Sequence, residues 1–154
     1  MRCACAWPRG AAAVDVVARY EHVHRVTADE IDELGHAGNF HYVRWLQQAA
    51  VAHSDANGWP AERYREIGAG WVVRSHQITY LKPAFEGDEL RIRTWVENLR
   101  PATSLRRYEI RRGEDDVLAI AATDWAFINY GKQKAVRIPA AVAADFEVIP
   151  PDSD

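Results

Sequence analysis

The sequence lacks any long hydrophobic run and any strong excess of charge. No stretch approaches the about 18 consecutive apolar residues that suggest a membrane-spanning helix, so no span is predicted. The formal net charge of −3 gives no support for nucleic-acid binding, which depends on neutralising phosphates with Lys and Arg. With 48% hydrophobic and 27% charged residues among 154, the composition is that of an ordinary globular domain with a sizeable core.

Cysteine is scarce as well. Only Cys3 and Cys5 occur, and a disulfide between residues so close would be strained and would close almost no loop. We therefore expect a cytoplasmic protein with reduced thiols, and the lack of Cys or His clusters predicts no metal; we also expect no cofactor. We interpret residues 1–20 as a loose extension, because proline and charged residues interrupt the apolar segment that a signal peptide needs.

Apolar spacing predicts one long helix. The segment EHVHRVTADEI, rich in β-branched residues, predicts a first strand. Beyond it, apolar residues recur at helical spacing from Asn39 to Asn57, with Asn39 as the N-cap and Gly58 after the last turn. These apolar positions extend well around the helix, which indicates burial on more than one side. Pro60 opens a second, short helix.

After the helices the pattern changes to alternation. Consecutive strands are predicted at WVVRSHQITYLKP, LRIRTWVEN, SLRRYEIRR and VLAIAATDWAFINY. In the second segment, alternate residues from 90 to 96 form one apolar face. Short turns favour antiparallel pairing, so we expect the last four strands to form a meander. The sequence predicts an α+β domain over residues 21–148, with helices on one face of the sheet, and a tail over 149–154.

One motif in this order of elements resembles a known family. The segment DELGHAGNFHYVRWL, from Asp32 to Leu46, resembles the loop and helix start of acyl-CoA thioesterases related to 4-hydroxybenzoyl-CoA thioesterase. Downstream, YLKPAFEGDEL and ATDWAFINYGKQKAVRIPAAV resemble the strands of that family. The resemblance implies the hotdog fold, in which a five-stranded antiparallel sheet wraps a long central helix. It also implies a homodimer or homotetramer that hydrolyses an acyl- or aroyl-CoA to the free acid and thiol.

Within the motif, thioester hydrolysis needs an acid and a group that polarises the carbonyl. An ordinary Asp has a pKa of about 3.9, so Asp32 is ionised at neutral pH, and the resemblance makes it the catalytic nucleophile or general base. Unpaired N–H groups near Asn39 and Phe40, at the helix start, would stabilise the developing oxyanion. Gly35 and Gly38 would allow the substrate to approach the backbone closely.

Other residues carry secondary roles. His36 is a candidate acid or base, although bracing the loop is the role that we expect first. Asp55, near the end of the helix, is the second candidate acid, ahead of Asp29 and Glu33. We expect substrate contacts at Tyr42 and at a strand turn whose residues would bind the phosphates of coenzyme A. The residues of that turn are Arg100, Thr103 and Ser104.

Two other functions are compatible with the sequence. A hotdog hydratase or dehydratase acting on enoyl or hydroxyacyl thioesters would require His36 to meet Asp55, and the GHAGNFHY loop does not resemble the dehydratase loop. A non-catalytic acyl-CoA-binding protein would bind the thioester without turnover. The carrier, coenzyme A or acyl carrier protein, is open at this point, as is the acyl group.

Overall fold

The structure, a computed structural model, describes residues 16–152. The two cysteines, the predicted extension up to residue 15 and the last two residues of the predicted tail lie outside this range. The elements are β1 (Arg19–Arg25), a 3-10 turn (Ala28–Glu30), α1 (Asn39–Ala56), α2 (Ala61–Ile67), β2 (Ala69–Tyr80), β3 (Glu89–Leu99), β4 (Thr103–Arg112), β5 (Asp116–Asn129), β6 (Lys134–Ala135) and α3 (Ala140–Ala144).

The sheet is antiparallel and has the strand order β1-β3-β4-β5-β2, with the two-residue β6 added to β5. The predicted hotdog fold, a long helix against five antiparallel strands, is confirmed. The predicted four-strand meander is wrong, because β2 pairs with β5 and only β3, β4 and β5 follow one another in space. The connection from β2 to β3 contains Pro83 and is too long for a tight hairpin, which leaves β2 free to cross the sheet.

Alternating burial on β3 and β4 defines the inner face of the sheet. On β3, Leu90 and Ile92 are fully buried, as the alternation predicts, whereas the intervening arginines are half-buried on the other side. On β4 the inward positions include Tyr108 and Ile110, and also Arg106. The inner face is therefore apolar except for one buried arginine on β4 and small polar residues.

Helix α1 packs across β1 and β3 and buries the side chains of Trp45, Leu46 and Ala49 completely. It begins one residue earlier than expected: Gly38 is the N-cap and Asn39 is the first helical residue, so the predicted N-cap at Asn39 is wrong. Gly58, after the last turn, has a φ of +84°, a left-handed conformation that favours glycine. Within residues 16–152, no helix is long and apolar enough to cross a membrane.

The chain before β1 is tied to the last turns of α1. The N–H of Val17 donates to Oδ1 of Asn57 at 2.8 Å, and the Val17 carbonyl accepts a hydrogen bond from the ring of His53. Strand β1 begins at Arg19, so the predicted domain boundary at Glu21 falls inside this strand. The fold therefore includes residues upstream of Glu21.

Two apolar clusters lie beneath the two ends of α1. The first surrounds Trp45 and Leu46 and includes Leu90 and Ile110 of the sheet. The second gathers side chains of α2, α3 and the neighbouring strands around Phe127 of β5. Different parts of the core thus lie near the two ends of the helix.

Candidate active site

The loop before α1 is a tight turn that holds Asp32 at the surface. The N–H of Asp32 donates to the carbonyl of His36 at 2.9 Å, and the N–H of Gly35 donates to the carbonyl of Asp32 at 3.1 Å. Gly35 has a φ of +86°, which a residue with a side chain rarely adopts. The glycine therefore has a conformational role in the turn besides the expected close approach to substrate.

Asp32 lies directly against the start of α1. A Cβ placed on Gly38 would be 3.8 Å from the Cβ of Asp32. The Asp32 side chain is 36% exposed, and its Oδ1 accepts a hydrogen bond from the N–H of Leu34 at 2.9 Å. Its Oδ2 lies 3.8 Å from Nδ1 of His36 and accepts no hydrogen bond from the described residues. One carboxylate oxygen is thus fixed and the other is available.

The start of α1 carries no side-chain cap. Gly38 occupies the N-cap position with φ −70° and ψ 148°, and glycine has no side chain to accept a hydrogen bond from the first turn. Because the first N–H groups of a helix lack intrahelical acceptors, those of Asn39 and Phe40 are available at the positive end of the helix dipole. The ring of Phe40 is 75% exposed beside them. The expected oxyanion donors therefore adjoin Asp32.

A buried carboxylate that the sequence-based prediction missed supports this loop. Glu30 is 6% exposed. Its Oε1 accepts hydrogen bonds from the N–H and hydroxyl of Thr27, at 3.0 and 3.1 Å, and from Nε2 of His24 at 2.8 Å. Its Oε2 accepts from the indole N–H of Trp45 at 2.7 Å. Burial alone would raise the pKa of Glu30, but these hydrogen bonds outweigh it and lower the pKa to about 2.

Glu30 connects the loop to the helix. Its side chain is bound by Trp45 of α1, and its carbonyl accepts the N–H of Gly38, the N-cap residue, at 3.0 Å. The segment TADE has the spacing of a capping box, Thr followed three residues later by Glu, and this signal identifies Glu30 as a structural residue. Spacing alone does not indicate that a tryptophan 15 residues later would complete its hydrogen bonds.

Tyr42 lies in the core rather than beside Asp32. It is 2% exposed, with its ring 4.7 Å from that of Trp45 and 4.9 Å from that of Tyr80 in centroid distance. His36 is half-buried, and its Nδ1 is 3.4 Å from the carbonyl of Ala37. The loop histidine is thus placed beside the acid, whereas the tyrosine supports the helix from below.

The predicted phosphate-binding turn is distant from Asp32 within one subunit. The loop of Asp32 adjoins the segment before β3, because the N–H of Ala37 donates to the carbonyl of Ala84 at 2.8 Å. The turn lies beyond the other end of β3, and an 11-residue strand rises about 30 Å or more. The structure therefore does not bring Arg100, Thr103 or Ser104 to the same site as Asp32 in a single chain.

Asp55 is exposed and lies in the last turn of α1. At about 1.5 Å rise per residue, it is roughly 24 Å along the helix from Asn39. His36 precedes the start of the helix, so His36 and Asp55 do not meet within one subunit. The pairing required for the hydratase alternative is absent from a single chain.

The family is established by comparison with known proteins. A model of the thioesterase-like superfamily matches residues 26–146, which is most of the chain. The chain belongs to this superfamily. The predicted family and enzyme class, thioesterase, are thereby confirmed. No curated protein sequence matches the chain.

Solved structures share the fold. A Lactobacillus plantarum protein, provisionally named an oleoyl thioesterase, is 23% identical to this chain, with a TM-score of 0.81. The match covers 93% of this chain and 57% of the other protein, so this chain spans little more than half of that relative. A hypothetical protein from Thermus thermophilus is 25% identical with a TM-score of 0.77 (82% and 96% covered). A 1,4-dihydroxy-2-naphthoyl-CoA thioesterase from Synechocystis is 17% identical with a TM-score of 0.75 (82% and 94% covered).

Proposed function

We propose that this protein hydrolyses the thioester of an acyl- or aroyl-CoA, with Asp32 as the catalytic carboxylate. The observation that carries the proposal is the position of Asp32, whose side chain lies against an uncapped helix start. One carboxylate oxygen is held by the N–H of Leu34 and the other is available for chemistry. A relative with the same fold is named as a thioesterase of an aroyl-CoA, which supports coenzyme A as the carrier.

In the proposed reaction, Asp32 either attacks the thioester carbonyl carbon or removes a proton from the attacking water. The carbonyl oxygen becomes negatively charged and accepts hydrogen bonds from the N–H groups of Asn39 and Phe40. The C–S bond then breaks, and the sulfur takes up a proton and leaves as the thiol. If Asp32 attacks the carbon, the acyl group remains on it as a mixed anhydride, which water hydrolyses to the free acid and the regenerated carboxylate. If water attacks, its oxygen is already bonded to the acyl carbon and the free acid leaves directly. His36, with Nδ1 3.8 Å from Oδ2 of Asp32, braces the loop beside the carboxylate without a hydrogen bond to it.

On this proposal, a complete active site with its phosphate-binding turn requires a second subunit. Strand β2 lies at an edge of the described sheet, and exposed apolar residues accompany it, among them Val72, Tyr80 and Leu81. Pairing between subunits would cover such an edge. It would also allow Arg100, with its neighbouring turn residues, to bind phosphates of a substrate held by the other subunit's Asp32. Light scattering coupled to size exclusion should give the mass of a homodimer or homotetramer.

A panel of acyl- and aroyl-CoAs, with detection of the released thiol, tests the activity. We expect turnover of at least one member of the panel, and we expect Asp55→Asn to retain it. Binding of every thioester without thiol release would instead support the non-catalytic alternative. Loss of activity in Asp55→Asn but not in Asp32→Asn would transfer the catalytic role to the end of α1.

A further inference from the structure

A cavity with six aromatic side chains in its wall lies at the C-terminal end of α1. It has a volume of about 210 Å³ between the last turns of α1, α2 and the inner face of the sheet. An apolar cavity of about 150 Å³ is sufficient to hold benzene, so this volume admits a substituted aromatic ring. The aromatic residues that line it are Trp59, Tyr64, Trp71, Trp125, Tyr130 and Phe146.

This cavity is separate from the proposed catalytic loop. Ser54 and Asp55 of α1 line it, and they are roughly 22–24 Å along the helix from Asn39 at about 1.5 Å per residue. Neither Asp32 nor His36 is among its lining residues. A molecule bound here would therefore not contact the Asp32 of the same chain.

A buried arginine forms part of the cavity wall. Arg106 is 6% exposed, and its Nη1 donates to Nδ1 of His53 at 2.8 Å and to Oγ1 of Thr94 at 3.0 Å. Both acceptors are neutral. Thr94 contributes a hydroxyl, and the pKa of His53 is lowered to about 4, by burial first and by the charge of Arg106 second. Among residues 16–152, no carboxylate lies within ion-pair distance of Arg106. Its Nε and Nη2 donate no hydrogen bond to a described residue.

An uncompensated buried charge is costly, and an arginine is especially suited to a planar anion. Charged side chains are almost never fully buried unless they are paired. The guanidinium presents parallel N–H groups that match the two oxygens of a carboxylate. The acid that lines the described cavity, Asp55, is exposed and forms no ion pair with Arg106. The cavity thus combines aromatic walls with a cation that has no anionic partner among residues 16–152.

We infer that this cavity is a binding site for a small aromatic carboxylate, with its ring between the aromatic walls and its carboxylate on Nε and Nη2 of Arg106. The site is independent of the proposed hydrolysis, since the ligand is a free acid and Asp32 takes no part. An acid of this class is also what an aroyl-CoA thioesterase releases. This last point alone rests on the proposed function: with an aroyl-CoA as substrate, occupancy of the site would follow product concentration at a position remote from the catalytic loop.

Titration with benzoate tests the site directly. Binding is followed by calorimetry and by the fluorescence of the tryptophans in the cavity wall, without any thioester present. We expect one benzoate per chain, and benzamide, which has the same shape without the charge, should bind roughly tenfold to a hundredfold more weakly. Because no hydrolysis is measured, an inactive protein would not affect the outcome.

Two variants assign the binding to this cavity. Arg106→Met removes the cation, and Ala61→Trp, at an exposed position on α2 that lines the cavity, fills it from the mouth. Both should weaken benzoate binding at least about tenfold. Arg107→Met is the matched control, because Arg107 is adjacent on β4 but faces outward to Glu97, and it should bind benzoate like the wild type.

The thermal transition of Arg106→Met shows whether this variant folds. If Arg106→Met does not fold, Ala61→Trp still tests the site. Arg106→Met removes a costly buried charge but leaves Nδ1 of His53 without a donor, so we expect the two effects to offset each other and the variant to remain folded. The inference is overturned if the wild type does not bind benzoate at millimolar concentration. It is also overturned if benzamide binds equally well, or if Ala61→Trp and a folded Arg106→Met both bind like the wild type.

Discussion

A buried charge lies near each end of α1, and the two charges differ in the partners that surround them. At the start of the helix, the carboxylate of Glu30 is surrounded by donors from Thr27, His24 and Trp45. At the other end, the guanidinium of Arg106 has only neutral acceptors among the described residues. A buried charge with a complete set of partners holds structure together. A buried charge without a counter-ion marks a place where a ligand would complete the set.

The largest effect is expected at Asp32, the exposed acid beside the start of α1. Asp32→Asn should reduce kcat/KM by about 10²–10⁴, because the amide is neither a nucleophile nor a base and proton transfer alone contributes that much. Steady-state kinetics with the best thioester of the panel measures the loss.

Glu33→Gln provides the matched control, since Glu33 is the neighbouring acid and is also exposed. It should change kcat/KM by less than about twofold, because an exposed charge that takes no part in the reaction contributes little. Equal losses in the two variants would show that the charge of the loop, rather than the carboxylate of Asp32, supports hydrolysis.

Removing the charge of Glu30 should destabilise the folded protein, although Asp32 itself is unchanged. Glu30→Gln leaves a neutral amide among donors that surrounded a carboxylate, and we expect a loss of roughly 2–3 kcal/mol in the free energy of unfolding. Chemical denaturation at pH 7 measures it.

The pH dependence provides the control for Glu30. Because the folded pKa is lowered to about 2, the contribution of Glu30 is complete above the unfolded value of 4.5 and disappears as the pH falls toward 2. The difference between wild type and Glu30→Gln should therefore shrink across that range. A difference that stays constant would assign the effect to shape rather than charge.

Gly38 links stability to activity at the same end of the helix. Gly38→Ser would cap the helix, and the serine hydroxyl would accept a hydrogen bond from the first-turn N–H groups. We expect a few tenths of a kcal/mol of added stability or more, together with a loss of about tenfold in kcat because the oxyanion donors become occupied.

Gly38→Ala separates the hydroxyl from the added carbon. A Cβ at this position meets its nearest neighbour, Cδ2 of His41, at 3.5 Å, an ordinary contact. The alanine variant should therefore lose less activity than the serine variant. If both lose the same activity, close approach of the substrate to Gly38 matters more than the free N–H groups.

The smallest effect is expected at the other end, from His53. Its pKa is lowered to about 4, so the folded state binds this proton less readily than the unfolded state, and stability falls as the pH drops from 6.5 toward 4. His53→Gln keeps one donor and one acceptor but does not titrate. The wild type should lose about 1 kcal/mol more than the variant between pH 7.5 and 5.5, measured by denaturation. Parallel pH profiles would contradict this.

The sequence predicts the fold well because its signals are local. The periodicity from Asn39 onward and the alternation from Leu90 define the helix and the inner face of the sheet. The position of β2 beside β5 is not predictable in this way, since pairing of distant strands depends on which edge is free. The shift of the N-cap to Gly38 is a one-residue change that only backbone geometry shows.

The site was predictable in part. The motif identified Asp32 and the helix start, and these lie together. The role of Glu30 depends on Trp45, which the fold brings to it through a tertiary contact. Arg106 alternates in step with the buried Tyr108 and Ile110, so its inward position can be read from the sequence. That no described carboxylate pairs with it follows only from the assembled core.

The hydrogen bonds of Val17 have a practical consequence for where this domain can be shortened. A chain starting at Glu21, the boundary that sequence patterns suggest, would leave Asn57 and His53 without the backbone partners that now satisfy them. His53 is also the acceptor that orients Arg106. Trimming the N-terminus beyond residue 16 would therefore disturb the inferred benzoate site around Arg106, while the loop of Asp32, at the opposite end of α1, would keep its geometry.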